Sequence, residues 1–201
     1  MEFIKDITAL EALYGTISDP ARRKVARQMT PTYRRWIMAS RLCVLSTVGP
    51  DGTDGTPRGD DGPVVLELDP GTLAVPDWRG NNRLDALRNI VVDGRVSLMF
   101  IVPGSNNVMR VNGTARLTTD ADLRARFERK NLLPATVAVI KIAEIYSQCA
   151  RALMRAGTWK AGDQSGDLPS MGDILSEMTQ GEIDGKAYDE KWDARAEHTM
   201  W

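Results

Sequence analysis

The chain has 201 residues, 42% of them hydrophobic and 26% charged, and its 26 basic and 27 acidic side chains leave a formal net charge of −1. That size and composition suit one compact domain with appended helices, and the near-zero charge excludes a global field that gathers nucleic acid. No apolar run reaches bilayer-spanning length, and residues 1–6 lack the basic region and apolar core of a signal peptide, so no membrane association is expected and the cytoplasm is the expected setting.

Residues 1–40 read as helices. Asp19-Pro20 and Thr30-Pro31 each place a capping residue before a proline at the first helical position, while Leu10, Leu13 and Ile17, then Tyr33 and Ile37, supply apolar faces at helical spacing. From Leu42 the period changes to a short apolar, β-branched run over 42–48, ended by the turn signal Gly49-Pro50-Asp51-Gly52. Residues 63–68 and 72–76, separated by Asp69-Pro70-Gly71, read as a hairpin. Residues 82–92 follow as a helix with Leu84, Leu87 and Val91 on one face, stopped by Asp93-Gly94. Residues 95–102 return to strand. Residues 108–117 then alternate, with Met109, Val111, Gly113, Ala115 and Leu117 on one side and Arg110, Asn112, Thr114 and Arg116 on the other. A capping box at 119–122 opens a helix to about Asn131, a last strand occupies 136–146, and a helix runs through Met154. The Gly-, Asp- and Ser-rich segment 158–170 reads as a loop, with helices over 171–179 and 186–199 beyond it.

Three segments result: N-terminal helices over 1–40, a barrel over 41–156, and a loop with a C-terminal helical extension over 157–201. The expected fold is mainly β with flanking helices, a barrel of six short antiparallel strands. Charge is uneven along it. Arg22, Arg23, Lys24, Arg27, Arg34 and Arg35 fall within residues 21–35 without an acid, and residues 182–197 are acid-rich. The basic stretch reads as a solvated helix face or as one that meets the acidic tail of a partner subunit.

Several chemistries are excluded by inventory. The single histidine, His198, lies three residues from the end, which leaves no histidine for a triad in a core. Cys43 and Cys149 are far apart in apolar surroundings and are expected to be buried free thiols; with one histidine they make no zinc site, and no metal is expected. Residues 51–62 lack the alternating acids of a calcium loop, and neither a dinucleotide-binding nor a Walker glycine motif is present.

What remains is a polar constellation: Thr56-Pro57-Arg58-Gly59-Asp60 before the second predicted strand, Val75-Pro76-Asp77-Trp78-Arg79-Gly80-Asn81-Asn82-Arg83 joining the third strand to the short helix, and Arg110 and Asn112 on the fifth. In the middle segment a glycine admits close backbone approach, Asn82 is placed to cap the helix, and two arginines flank its start. Free N–H groups at a helix start together with guanidinium groups suit a phosphate. The alternative is an ordinary capped turn with solvated arginines.

Taken with Leu73-Ala74-Val75-Pro76-Asp77, Arg95-Val96-Ser97-Leu98-Met99-Phe100 and Arg110-Val111-Asn112-Gly113, these motifs resemble the FMN-binding split barrel of pyridoxamine-5′-phosphate-oxidase-like proteins, over about residues 30–155. The resemblance implies a six-stranded antiparallel split-barrel homodimer with two FMN sites at the subunit interface. Arg58, Gly59 and Asp60 then open the strand that gives backbone contacts to the flavin ring, and Val75, Pro76 and Asp77 border the ring and ribityl chain. Asn81, Asn82 and Arg83 fall at the phosphate, and Arg110 lies on the face that reaches a cofactor shared with the other subunit. Two departures exclude vitamin B6 oxidation from the expectation. Gly80-Asn81-Asn82-Arg83 replaces a Ser-Arg-Lys-type phosphate motif, and Glu197-His198-Thr199-Met200-Trp201 replaces the family's product-holding C-terminal segment. The function implied is an FMN-dependent oxidoreductase acting on a small molecule. The alternatives are a non-catalytic flavin-storing or flavin-sensing protein, or a cofactor-free dimerisation module. Flavin carries its own two-electron chemistry, so no catalytic residue is assigned.

Overall fold

The computed structural model describes residues 1–201. Its core is wrapped by one antiparallel sheet of seven strands: β1 (Leu42–Gly49), β2 (Gly52–Gly59), β3 (Leu66–Asp69), β4 (Thr72–Asp77), β5 (Arg95–Ile101), β6 (Val108–Thr118) and β7 (Thr136–Gln148). Their spatial order is β2-β1-β5-β6-β7-β4-β3. Around it lie α1 (Ile7–Ala12), α2 (Asp19–Arg23), α3 (Pro31–Met38), α4 (Asp85–Val92), α5 (Ala121–Ala125), α6 (Arg151–Ala156), α7 (Met171–Met178), α8 (Gly185–Glu190) and α9 (Trp192–Thr199). No helix is long and apolar enough to cross a membrane.

The strands that alternate in sequence also alternate in burial. Cys43, Leu45 and Thr47 of β1 and Val96, Leu98 and Phe100 of β5 point into a core that also takes Val111 and Ala115 of β6. Each Leu or Phe buried this way stabilises the fold by about 1.5–3 kcal/mol. β4 is buried from Thr72 to Pro76, because its second face is covered by a small cluster of Ala74, Phe127 and Val137 with Trp78 packed against it. At Gly113 the β6–β7 register shifts, and an added Cβ there would meet the Lys141 carbonyl oxygen at 2.1 Å, so no larger residue fits without moving backbone.

The strand count is seven rather than the expected six. β2 reads Gly-Thr-Asp-Gly-Thr-Pro-Arg-Gly and carries no apolar alternation, so hydrophobic period does not find it. Its register with β1, Gly49 opposite Gly52 through Leu42 opposite Gly59, is set by the hairpin turn, where Gly52 adopts φ 127°. Pro57 is tolerated because β2 is an edge strand.

Other boundaries also move. β3 begins at Leu66, three residues later than expected, and α4 begins at Asp85 rather than at Asn82. α5 ends at Ala125, short of the expected Asn131; Lys130 (φ 49°) and Asn131 (φ 63°) stand in left-handed backbone in a turn between the mutually bonded Arg129 and Leu132. Asp120, not Thr119, caps that helix by accepting from the Leu123 N–H at 2.8 Å. Thr30 caps α3 as expected, but Ser18 occupies the cap position of α2. The C-terminal helix divides at Lys191 into α8 and α9. Cys43 is buried, whereas Cys149 is exposed, contrary to expectation. Leu10, Leu13 and Ile17 are exposed, so the predicted N-terminal apolar face covers nothing within this chain.

The sheet does not close on itself by a strand ladder; its ends are β2 and β3. After β2 the chain turns onto the α3–β1 corner, where the Asp60 and Val64 N–H groups donate to the Arg41 and Ser40 carbonyls at 3.0 and 2.9 Å. Across the split, side chains do the joining: Arg58 of β2 pairs with Asp77 of β4, and the Trp78 indole donates to Asp60 at 3.2 Å.

Candidate functional site

A cleft of about 960 Å³ runs along this split. One wall is β2, the other the end of β4 with the turn that follows it and the first turn of α4. The 132–136 segment and the C-terminal residues His198 and Trp201 complete the lining.

Seven of the ten sequence-predicted residues meet there: Arg58, Gly59, Pro76, Asp77, Asn81, Asn82 and Arg83. The other three do not. Val75 is a core residue, 2% exposed. The Asp60 carboxylate is 1% exposed and lies behind the wall, bonded to Trp78 and to Arg129. Arg110 lies outside this cleft, donating to Ser97 Oγ at 3.2 Å with its guanidinium 5.4 Å from the centre of the Tyr146 ring.

The barrel side of the cleft holds an unmet hydrogen-bonding need. Arg58 is anchored to Asp77 through Nη1, both side chains 18% exposed, yet its Nε is buried without an acceptor. Thr136 opens β7 directly opposite Asp77, and its buried Oγ1 is likewise without a partner. Buried polar groups in folded proteins are nearly always paired, and an unpaired one costs about 1–3 kcal/mol. Nothing local in the sequence marks Thr136, whose relation to Asp77 comes from strand pairing 59 positions away.

The turn before α4 differs from expectation in detail. Asn82 does not cap the helix; it stands in left-handed backbone (φ 60°), while the Asn81 side-chain oxygen accepts from the Arg83 N–H at 3.0 Å. Leu84 occupies the cap position without a side-chain cap, so the first helical N–H groups remain free. Asp85 sits in that first turn and accepts from Arg83 Nε at 2.5 Å, which raises the guanidinium pKa further above its ordinary value. Any phosphate here therefore shares Arg83 with Asp85. Around Gly80 an added Cβ would meet no atom within 4 Å, so the backbone there is open to a ligand.

The far end is aromatic. Trp78 meets Trp201 edge to face, with ring centres 5.2 Å apart and planes at 83°. Leu132 and Leu133, 48% and 43% exposed, extend the apolar surface. Sequence reading placed Trp78 beside the site but missed Leu132, Leu133, His198 and Trp201, which chain folding alone brings there.

A family model described as pyridoxamine 5′-phosphate oxidase matches residues 29–149. No curated protein matches the chain. Among solved structures, HupZ from Group A Streptococcus is 18% identical over 59% of this chain and 93% of its own, with a TM-score of 0.49. An FMN-binding protein from Syntrophomonas wolfei is 18% identical over 58% and 83%, at 0.46. An FAD-binding protein from Mycobacterium smegmatis is 14% identical over 61% and 97%, at 0.42. The matched segment contains every strand of the sheet and nearly all of the cleft, leaving out only its C-terminal lining; the chain belongs to the pyridoxamine 5′-phosphate oxidase family.

Proposed function

We propose that the protein is a cytoplasmic FMN-binding flavoprotein, an oxidoreductase that works as a homodimer on a small-molecule substrate, with its cofactor lying along the split. The observation that carries this reading is the pair of buried, unpartnered polar atoms, Arg58 Nε and Thr136 Oγ1, on the wall of a cleft large enough for a cofactor, within the family-matched segment. They fit a ligand whose planar ring carries both acceptors and donors along its edge. Arg83, Asn81 and the uncapped start of α4 fit a single terminal phosphate at the other end.

A bound flavin supplies the hydride or electron transfer. The chain's own residues orient and shield it. Asp77 fixes the Arg58 guanidinium at the wall, Pro76 gives a rigid apolar edge, and Arg83 brings positive charge to the mouth. The homodimer reading is supported by the outer face of the sheet. Val44, Met99, Arg110 and Tyr146 stand in register across β1, β5, β6 and β7, so Arg110 is available to a second chain rather than to its own cleft.

Sedimentation velocity of FMN-loaded protein, recorded at both the protein and the flavin absorption bands, tests cofactor and assembly together. The expected result is flavin absorbance travelling with a two-chain species. Flavin left at the meniscus overturns cofactor binding, and a loaded single chain overturns the dimer.

A further inference from the structure

Trp78 is held more firmly than a rim aromatic needs to be. The indole packs on the Ala74, Phe127 and Val137 cluster outside β4. Its Nε1–H donates to Asp60 Oδ2 at 3.2 Å, and that carboxylate is itself 1% exposed. Asp60 Oδ1 in turn accepts from the Asp61 N–H at 2.8 Å and meets Arg129 Nη2 at 3.4 Å, so the acceptor cannot swing away. Trp78 is only partly buried, lines the same cleft as Arg58 and Asp77, and meets Trp201 edge to face there. A ring fixed by apolar packing and by its one donor, and still lining a cleft, has lost its freedom before any ligand arrives. Stacking on such a ring carries little ordering cost.

We propose that Trp78 is the aromatic wall on which the planar ring of the bound ligand stacks, and that Asp60 is the positioning residue that holds the indole in place. Asp60 then serves the site without touching the ligand, which reconciles its place among the polar residues of the sequence motif with its burial behind the wall. The inference rests on the flavin reading above and deepens it. Arg83 is assigned to the phosphate and Trp78 to the ring, so the two act on different parts of one molecule. Stacking by π-faces needs no hydrogen-bond complement, so Trp78 should not distinguish FMN from riboflavin.

The test is titration of the full-length protein with FMN and with riboflavin, reading both affinity and flavin fluorescence, in wild type, Trp78→Ala, Trp78→Phe, Asp60→Ala and Asp60→Asn. Thermal unfolding of each variant confirms that it is folded. An indole against the ring quenches flavin emission, a readout that a merely structural residue does not move. Trp78→Ala should weaken both ligands by about tenfold and relieve quenching, and Trp78→Phe should retain most of the affinity. Asp60→Ala should give a partial loss of both, whereas Asp60→Asn, which keeps an acceptor for the indole N–H, should stay close to wild type. Folded Trp78→Ala and Trp78→Phe proteins with wild-type affinity and quenching would overturn the stacking wall while leaving flavin binding intact. Equal losses in Asp60→Asn and Asp60→Ala would overturn the positioning role. Wild-type protein that binds neither ligand would overturn the flavin reading and this inference with it.

Discussion

Replacing Asp77 by asparagine should loosen the split at a largely buried ionic contact. The Arg58–Asp77 pair spans β2 and β4, strands that no ladder joins, and each side chain is 18% exposed. Breaking a fully buried pair costs about 3–5 kcal/mol and an exposed one about 0–1 kcal/mol, so this exposure places the loss near ~2 kcal/mol. At ~2.1 cal/mol/K per residue, unfolding this chain carries an entropy of roughly 0.4 kcal/mol/K, and the midpoint of thermal unfolding should fall by roughly 5 °C. Arg58→Met alone should cost a similar amount, because it strands Asp77 at the cleft wall. The double variant should recover at least about 1 kcal/mol relative to the sum of the two single changes. Urea unfolding of the four proteins measures that coupling. Additivity to within about 0.5 kcal/mol would show that the pair contributes nothing, and that the split is held by the Ser40 and Arg41 backbone contacts instead.

The two cysteines should behave as opposites. Cys149, exposed, should label at once with a thiol reagent, whereas Cys43 should react only on unfolding; two fast equivalents of label in native protein would contradict the packing of β1. Burial pushes the Cys43 thiol up to about 12, while an unfolded cysteine releases its proton near 9. Between those values the folded state binds the extra proton, so stability should fall as pH rises from 9 towards 12, and Cys43→Ala should flatten that dependence. An unchanged alkaline slope in Cys43→Ala would show that other groups cause it.

Much of the barrel is readable from residue pattern because its strands bury one face each. β1, β5 and β6 alternate in sequence as they do in burial, and Thr30-Pro31 caps α3 as capping chemistry requires. β2 escapes that logic. Its pairing is dictated by the turn at Gly52 and by the ladder from β1, while the side chains of its Gly-, Thr- and Asp-rich run face solvent or cleft. The 80–83 motif locates the mouth of the cleft but not its geometry. Asn82 adopts left-handed backbone and does not cap α4, which is left without a side-chain cap, while the Asn81 side chain closes on the Arg83 N–H before the helix. Thr136 and Trp201 enter the cleft through contacts 59 and 123 positions away from their partners Asp77 and Trp78, and no local pattern encodes such closure. Asp60 illustrates the converse: Arg58 and Gly59 of its motif line the cleft, yet the Asp60 carboxylate is buried, bonded to Trp78.

The most direct measurement is the affinity of wild type and Arg83→Ala for FMN and riboflavin, with Arg79→Ala as the neighbouring control on the same turn. Arg83 is 79% exposed and shared with Asp85, so the loss expected for FMN is about tenfold, the lower end for a charge-assisted phosphate contact. Riboflavin, which lacks the phosphate, should bind both proteins alike, and Arg79→Ala should weaken FMN less than Arg83→Ala does. An equal fall for FMN and riboflavin, or unchanged FMN binding in Arg83→Ala, would contradict a phosphate held at the start of α4.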